Sequence, residues 1–227
     1  MRQEVYTHSG ALDRSESAKV LRNTYALLAM TVLFSAVTAG VSMAIGMGRG
    51  MSLICSIAAI ALVWFVLPRT ANSASGVGVV FAFTGLLGAS LGPMLNHYVG
   101  LAGGGQIVMQ ALGTTALIFF ALSAYVLTTR KDFSFMGGFL FVGLIAVLVC
   151  ALGLMIASFF GVHLPLASVA LSGVIALLFS GFILYDTSRI IHGGETNYIR
   201  ATVSLYLNIY NLFTAILHLL GAFGGDD

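Results

Sequence analysis

Charge is what this sequence has least of. Asp, Glu, Lys and Arg together make up 8% of its 227 residues, against roughly 25% in an ordinary soluble domain. A soluble protein of this length could not cover its surface with so few. Proline is nearly missing, at three residues, while hydrophobic types reach 59%. With a mean hydropathy of +1.00, that excludes a disordered chain. The net charge of +2 is small and its carriers are scattered, which excludes a nucleic-acid surface. The two cysteines, Cys55 and Cys150, lie inside apolar runs and read as small membrane-buried side chains, not as a disulfide or a metal pair. The opening stretch, MRQEVYTHSGALDRSESAKV, is polar, so no cleaved signal is expected and the first apolar segment serves as the insertion signal. What is left is an all-α integral membrane protein.

The charged residues that are present divide the chain. None occurs between Arg22 and Arg49, or between Arg49 and Arg69. The longer gaps Thr70–Thr129 and Phe133–Tyr185 hold two spans each, and Ala201–Gly225 holds one more. A helix needs about 20 apolar residues to cross about 30 Å of hydrocarbon, so the count is seven. The expected segments are 23–47, 50–68, 74–95, 106–128, 134–160, 164–188 and 200–222. The organisation is then a cytoplasmic tail over 1–22, a seven-helix membrane domain over 23–222 and a short outer tail over 223–227. The runs are continuously apolar, without the alternation of a lipid-facing barrel.

Lys and Arg set the orientation. With the N-terminus in the cytoplasm, that side carries Arg2, Arg14, Lys19, Arg22, Arg69, Arg130, Lys131, Arg189 and Arg200, and the other side carries Arg49. Nine against one is a strong positive-inside bias. The expected location is the bacterial inner (plasma) membrane, with the C-terminus outside. No loop is long enough for a soluble domain.

The spans are rich in small residues, among them Gly85 and Gly88, Gly137 and Gly138, and Gly173 with Gly181. These let helix backbones approach where lipid gives no hydrophobic drive. Asp186 is the one acidic residue inside an expected span. Two readings of it stand: a boundary carboxylate paired with an arginine of the same level (Arg69, Arg189 or Arg200), or a gating, proton-sensing carboxylate. The seventh segment carries a polar stripe, Ser204, Asn208, Asn211 and His218. At 100° per residue these fall within an arc of about 80°, a face suited to other helices.

Catalytic and metal patterns are missing. His97, His163 and His218 come from separate segments without ligand spacing, so no metal site is expected. Tyr185–Asp186 matches the YD dipeptide of intramembrane aspartyl proteases, but their chemistry needs a second membrane aspartate. No phosphate loop, HExxH or serine–histidine arrangement is present, so neither an enzyme nor a cofactor is expected.

Three stretches together resemble the Bax inhibitor-1, or transmembrane Bax inhibitor motif, family: FAFTGLLGASLGPML from Phe81, SAYVLTTRKDFSFMGGFLFVGL from Ser123 and LYDTSRIIHGGETNYIRATVSLYLNIYNLFTAIL from Leu184. Starting at KVLRNTYALLAMT, the resemblance covers nearly the whole chain, and its details are closest to the bacterial branch. It implies a seven-helix bundle with the last helix central. It also implies two activities: restraint of FtsH, a membrane-anchored ATP-dependent protease, and a pH-sensitive cation or calcium leak. The leak pattern uses two facing aspartates. The first falls on Asp186. The second, in an LYLDxxNLF pattern, is replaced here by Asn208, which can hydrogen-bond but cannot ionise. Arg69 is the arginine expected to pair with Asp186 in such a gate. The partners expected are the FtsH complex and membrane lipid, with calcium or other cations on the leak reading.

Overall fold

The computed structural model describes the backbone of residues 2–224 and the side chains of residues 15–224. Among the described residues there is no strand. Seven helices are long and apolar enough to cross a membrane. They are α1 (Arg2–Ala44), α2 (Arg49–Thr70), α3 (Ser75–Val99), α4 (Gly104–Thr129), α5 (Ser134–Phe159), α6 (Pro165–Ile191) and α7 (Tyr198–Phe223). The expected outer tail, 223–227, falls mostly outside the described residues.

The boundaries have local causes. Proline opens α6 at its first residue, where its missing N–H costs nothing and its φ is already helical. Gly103 at φ 67° precedes α4 and Gly161 at φ 80° follows α5, both in the left-handed region that glycine enters freely. The N-cap of α7 is Asn197, whose Oδ1 accepts from the backbone N–H of Ile199 at 2.9 Å and of Arg200 at 3.1 Å, the ordinary work of an Asn cap.

Three features differ from the sequence expectation. α1 starts at Arg2, not at residue 23. Residues 11–39 contain no Gly or Pro, so nothing halts helix propagation between the polar stretch and the apolar one. α3 continues to Val99, past the expected end at 95, and is interrupted only at Leu91, just before Pro93. There Asn96 donates from Nδ2 to the Met43 carbonyl at 3.1 Å, tying the extension to the end of α1. Finally, α2 contains one π turn, Leu62–Val66. Pro68 follows it and has no N–H to give the preceding turn. The side chains beyond the turn serve its carbonyls: Thr70 Oγ1 donates to Val66 at 3.0 Å and the Arg69 guanidinium donates to Phe65.

The chain forms two compact units. The first comprises Met1–Gly100 and Ile190–Tyr206. Within it α3 packs on both α1 and α2. A methyl group at Gly88 would collide with the Ser35 carbonyl and Thr38 Oγ1, so α1 and α3 run with backbone nearly against side-chain root, as small residues permit. The second unit comprises Leu101–Arg189 and Leu207–Asp227. Leu140 and Val147 of α5 and Leu178 of α6 form its apolar centre, surrounded by Met136, Leu144, Leu171, Ile175, Phe182 and Tyr185.

α7 contributes to both units and is enclosed along its length. Ala201, Thr202, Val203, Leu205 and Tyr206 are buried in the first part, and Leu212, Phe213, Ala215, Ile216 and Leu217 in the second. Half of its most apolar stretch is buried, equalled only by α3 among the described spans, whereas α5 buries 11%. An apolar helix that open has lipid as its solvent.

Candidate functional site

One polar contact inside the membrane region joins the two helices that close the chain. In the second unit, Asn208 of α7 is 4% exposed. Its Nδ2 donates to Asp186 Oδ2 of α6 at 2.7 Å. An amide donor at that distance from a carboxylate makes a short, charge-assisted bond; the amide is buried and the carboxylate half-buried. The two residues singled out in the sequence are therefore in contact. Chemically the pair can hold at most one negative charge, because the amide does not titrate.

The rest of the polar stripe behaves differently. Asn211 Nδ2 donates to the Leu207 carbonyl of its own helix at 2.8 Å, and Thr214 Oγ1 donates to the Asn211 carbonyl at 3.0 Å. Both ring nitrogens of His218 are buried with no hydrogen-bond partner. Ser204 is half-buried. Arg69 lies in the last turn of α2, exposed, with its guanidinium on the Phe65 carbonyl. Among the described residues no group of three or more His, Cys, Asp or Glu side chains is placed to hold a metal ion.

The sequence reading missed a second polar centre, in the first unit. Tyr206, 3% exposed, donates its hydroxyl to the Thr84 carbonyl of α3 at 3.3 Å and meets Ser35 Oγ of α1 at 2.6 Å. A phenol has one hydrogen, so with that hydrogen on Thr84, Ser35 is the donor in the shorter bond. One turn earlier, Thr202 Oγ1 contacts the Thr24 carbonyl of α1 at 3.3 Å. Phe83 meets the Tyr206 ring edge-on at 5.7 Å. A tyrosine within an apolar run reads as a hydrophobe, and the i, i+4 spacing of Thr202 and Tyr206 was the available signal.

Asn197 was also unmarked. Besides capping α7, its Nδ2 donates to the Ala71 carbonyl at 2.9 Å and to Asn72 Oδ1 at 2.8 Å. With two bonds accepted and two donated, the amide's hydrogen-bonding capacity is filled. The α2–α3 loop is thereby fastened to the start of α7.

Seven apolar helices, with buried polar contacts gathered on the last of them, define a multi-pass helical membrane protein. The chain belongs to the Bax inhibitor-1 family: the family model described as inhibitor of apoptosis-promoting Bax1 matches residues 17–225. It is 50% identical, over the whole length of both chains, to an uncharacterized membrane protein of Vibrio cholerae. It is 51% identical to the Escherichia coli K12 protein named modulator of FtsH protease YccA, across 89% of this chain and 90% of that one. A Helicobacter pylori protein without an assigned role is 35% identical across 99% of this chain and 96% of its own.

Proposed function

We propose that this protein is a non-catalytic regulator of the bacterial inner membrane that binds an FtsH-type protease and restrains its proteolysis. The observation that carries the reading is the likeness to the E. coli modulator, which extends over nine-tenths of both chains. The build of the molecule is consistent with it, since the chain is nearly all membrane helix and action on another membrane protein needs no soluble domain. The nine-to-one distribution of Lys and Arg puts the N-terminal end of α1 on the cytoplasmic side.

The test is co-purification of tagged protein with FtsH from solubilised membranes, together with the half-life of a membrane protein that FtsH degrades. Association and a longer substrate half-life on overproduction are expected. No association and an unchanged half-life would overturn the reading.

The Asp186–Asn208 contact favours a second reading, a cation leak gated at that pair. Calcium entry into liposomes holding the purified protein separates the two. Strong pH-dependent flux without any effect on FtsH substrates would favour the leak.

A further inference from the structure

The turn between α4 and α5, with sequence RKDFSFM, has a composition that neither reading uses. Arg130 and Lys131 are both exposed. The Lys131 ammonium lies 5.8 Å from the centre of the Tyr125 ring. Tyr125 packs against Phe133 at 6.1 Å, and Phe133 stacks on Phe135 at 6.4 Å. Cation and aromatics thus form one continuous surface. Phe135 is 79% exposed, and Phe139 and Val142 continue the same face along α5, at 75% and 66% exposed. The surface is basic at one end and apolar at the other.

The turn is held in place. The Phe133 N–H donates to Ser188 Oγ of α6 at 2.9 Å. The one acid of the turn, Asp132, has its Oδ1 occupied by the Ser134 N–H at 2.8 Å and by Ser188 Oγ at 3.4 Å. Arg189, the residue after that anchor, adds a third positive charge over the Tyr185 ring at 5.6 Å. On the same helix, Asp186 is bonded to Asn208. Arg130 itself closes α4 in the left-handed conformation, at φ 50°, the one non-glycine residue with positive φ among those described. Glycine would sit there without strain, so the position holds a guanidinium at a conformational cost.

We propose that the α4–α5 turn seats one anionic phospholipid, with its phosphate on Arg130 and Lys131 and an acyl chain along Phe135, Phe139 and Val142. Charge complementarity selects the headgroup, because two adjacent cations at a membrane interface attract anionic lipid and arginine suits phosphate in particular. The apolar half selects a lipid over a soluble phosphate, which would leave the aromatic face uncovered.

The experiment uses full-length protein in neutral detergent. Lipid adducts are counted by native mass spectrometry, with melting temperature followed in parallel. Wild type should retain one phosphatidylglycerol in preference to phosphatidylcholine. Arg130→Gly and Lys131→Gln should each weaken that binding about fivefold, and the double variant about twenty-five-fold. Phe135→Ala should weaken it further, and soluble glycerol phosphate should not compete. Arg130→Gly keeps a left-handed position that glycine adopts freely, and its lipid-free melting temperature, recorded beside the binding, separates lost binding from lost folding. Unchanged phosphatidylglycerol retention in the double variant would overturn the proposal. So would equal retention of phosphatidylcholine or displacement by glycerol phosphate.

Discussion

At the scale of single residues, two hydroxyls and one amide matter more than their number suggests. Tyr206→Phe keeps the ring against Phe83 and removes the hydroxyl, leaving the Thr84 carbonyl and Ser35 Oγ without it. Hydrogen bonds between membrane helices average somewhat under 1 kcal/mol, so a loss of about 1 kcal/mol is expected for two of them, read as thermal melting in detergent. Adding Ser35→Ala to that variant should cost less than it does alone, because its partner is already gone. Asn208→Asp is the sharper substitution. It would place a second carboxyl within hydrogen-bonding distance of Asp186, where amide nitrogen and carboxylate oxygen are now 2.7 Å apart. Two carboxyl groups that close cannot both ionise without strong repulsion, so the pair gains a proton-dependent state that wild type lacks. Calcium flux into proteoliposomes between about pH 6 and 8 is expected to be weak in wild type, to appear in Asn208→Asp, and to lose its pH dependence when Asp186→Asn is added. A strong pH-dependent flux in wild type would sink this account.

At the scale of elements, the spans were legible because their signal is composition, and the contacts between them were not. Gaps between charges located all seven helices. The ends moved where local chemistry outweighed composition, as at Asn96, whose bond to Met43 carries α3 to Val99. The small residues show the limit most clearly. Gly88 meets the α1 backbone, whereas Gly138 and Gly173 have nothing within 4 Å of where a Cβ would stand. In a helix that is hydrophobic nearly all round, periodicity does not say which glycine faces protein and which faces lipid. The difference is measurable. Gly88→Leu should force α1 and α3 apart, at a cost of about 1–3 kcal/mol for overpacking. Gly113→Ala, in the open on α4, should stabilise by about 0.5–1 kcal/mol through helix propensity. Equal melting temperatures for the two variants would show that the close approach at Gly88 carries no energetic weight.

At the scale of the whole molecule, what the residues establish is a solvent. A chain with 8% charged residues can keep its apolar surface only in lipid, and the exposed faces of α2 and α5 agree. The Asp186–Asn208 pair was legible only in part: its members stood out as polar groups in apolar runs, but that they face each other came from family resemblance. The Tyr206 and Asn197 contacts had no such help, because a loop asparagine and a core tyrosine are ordinary in composition. The charge bias makes a topological prediction. A reporter active only in the cytoplasm should work when fused to the N-terminus and fail at the C-terminus. Activity at both ends would require an even number of crossings.

The π turn of α2 has a consequence for how such a chain tolerates change. A π turn holds one residue more than the α-helical path needs, and each residue turns a helix by about 100°. A wheel drawn from Arg49 with regular spacing therefore misplaces Arg69 by about that angle, which is why its direction could not be read from its number. The same surplus makes Leu62–Val66 the place where this span can lose a residue and become a plain helix. A one-residue deletion in the middle of α7 would instead rotate one half against the other and pull Asn208 from Asp186 or Tyr206 from Ser35. Length variation among the transmembrane segments of related chains should therefore be admitted at the second crossing and refused at the seventh.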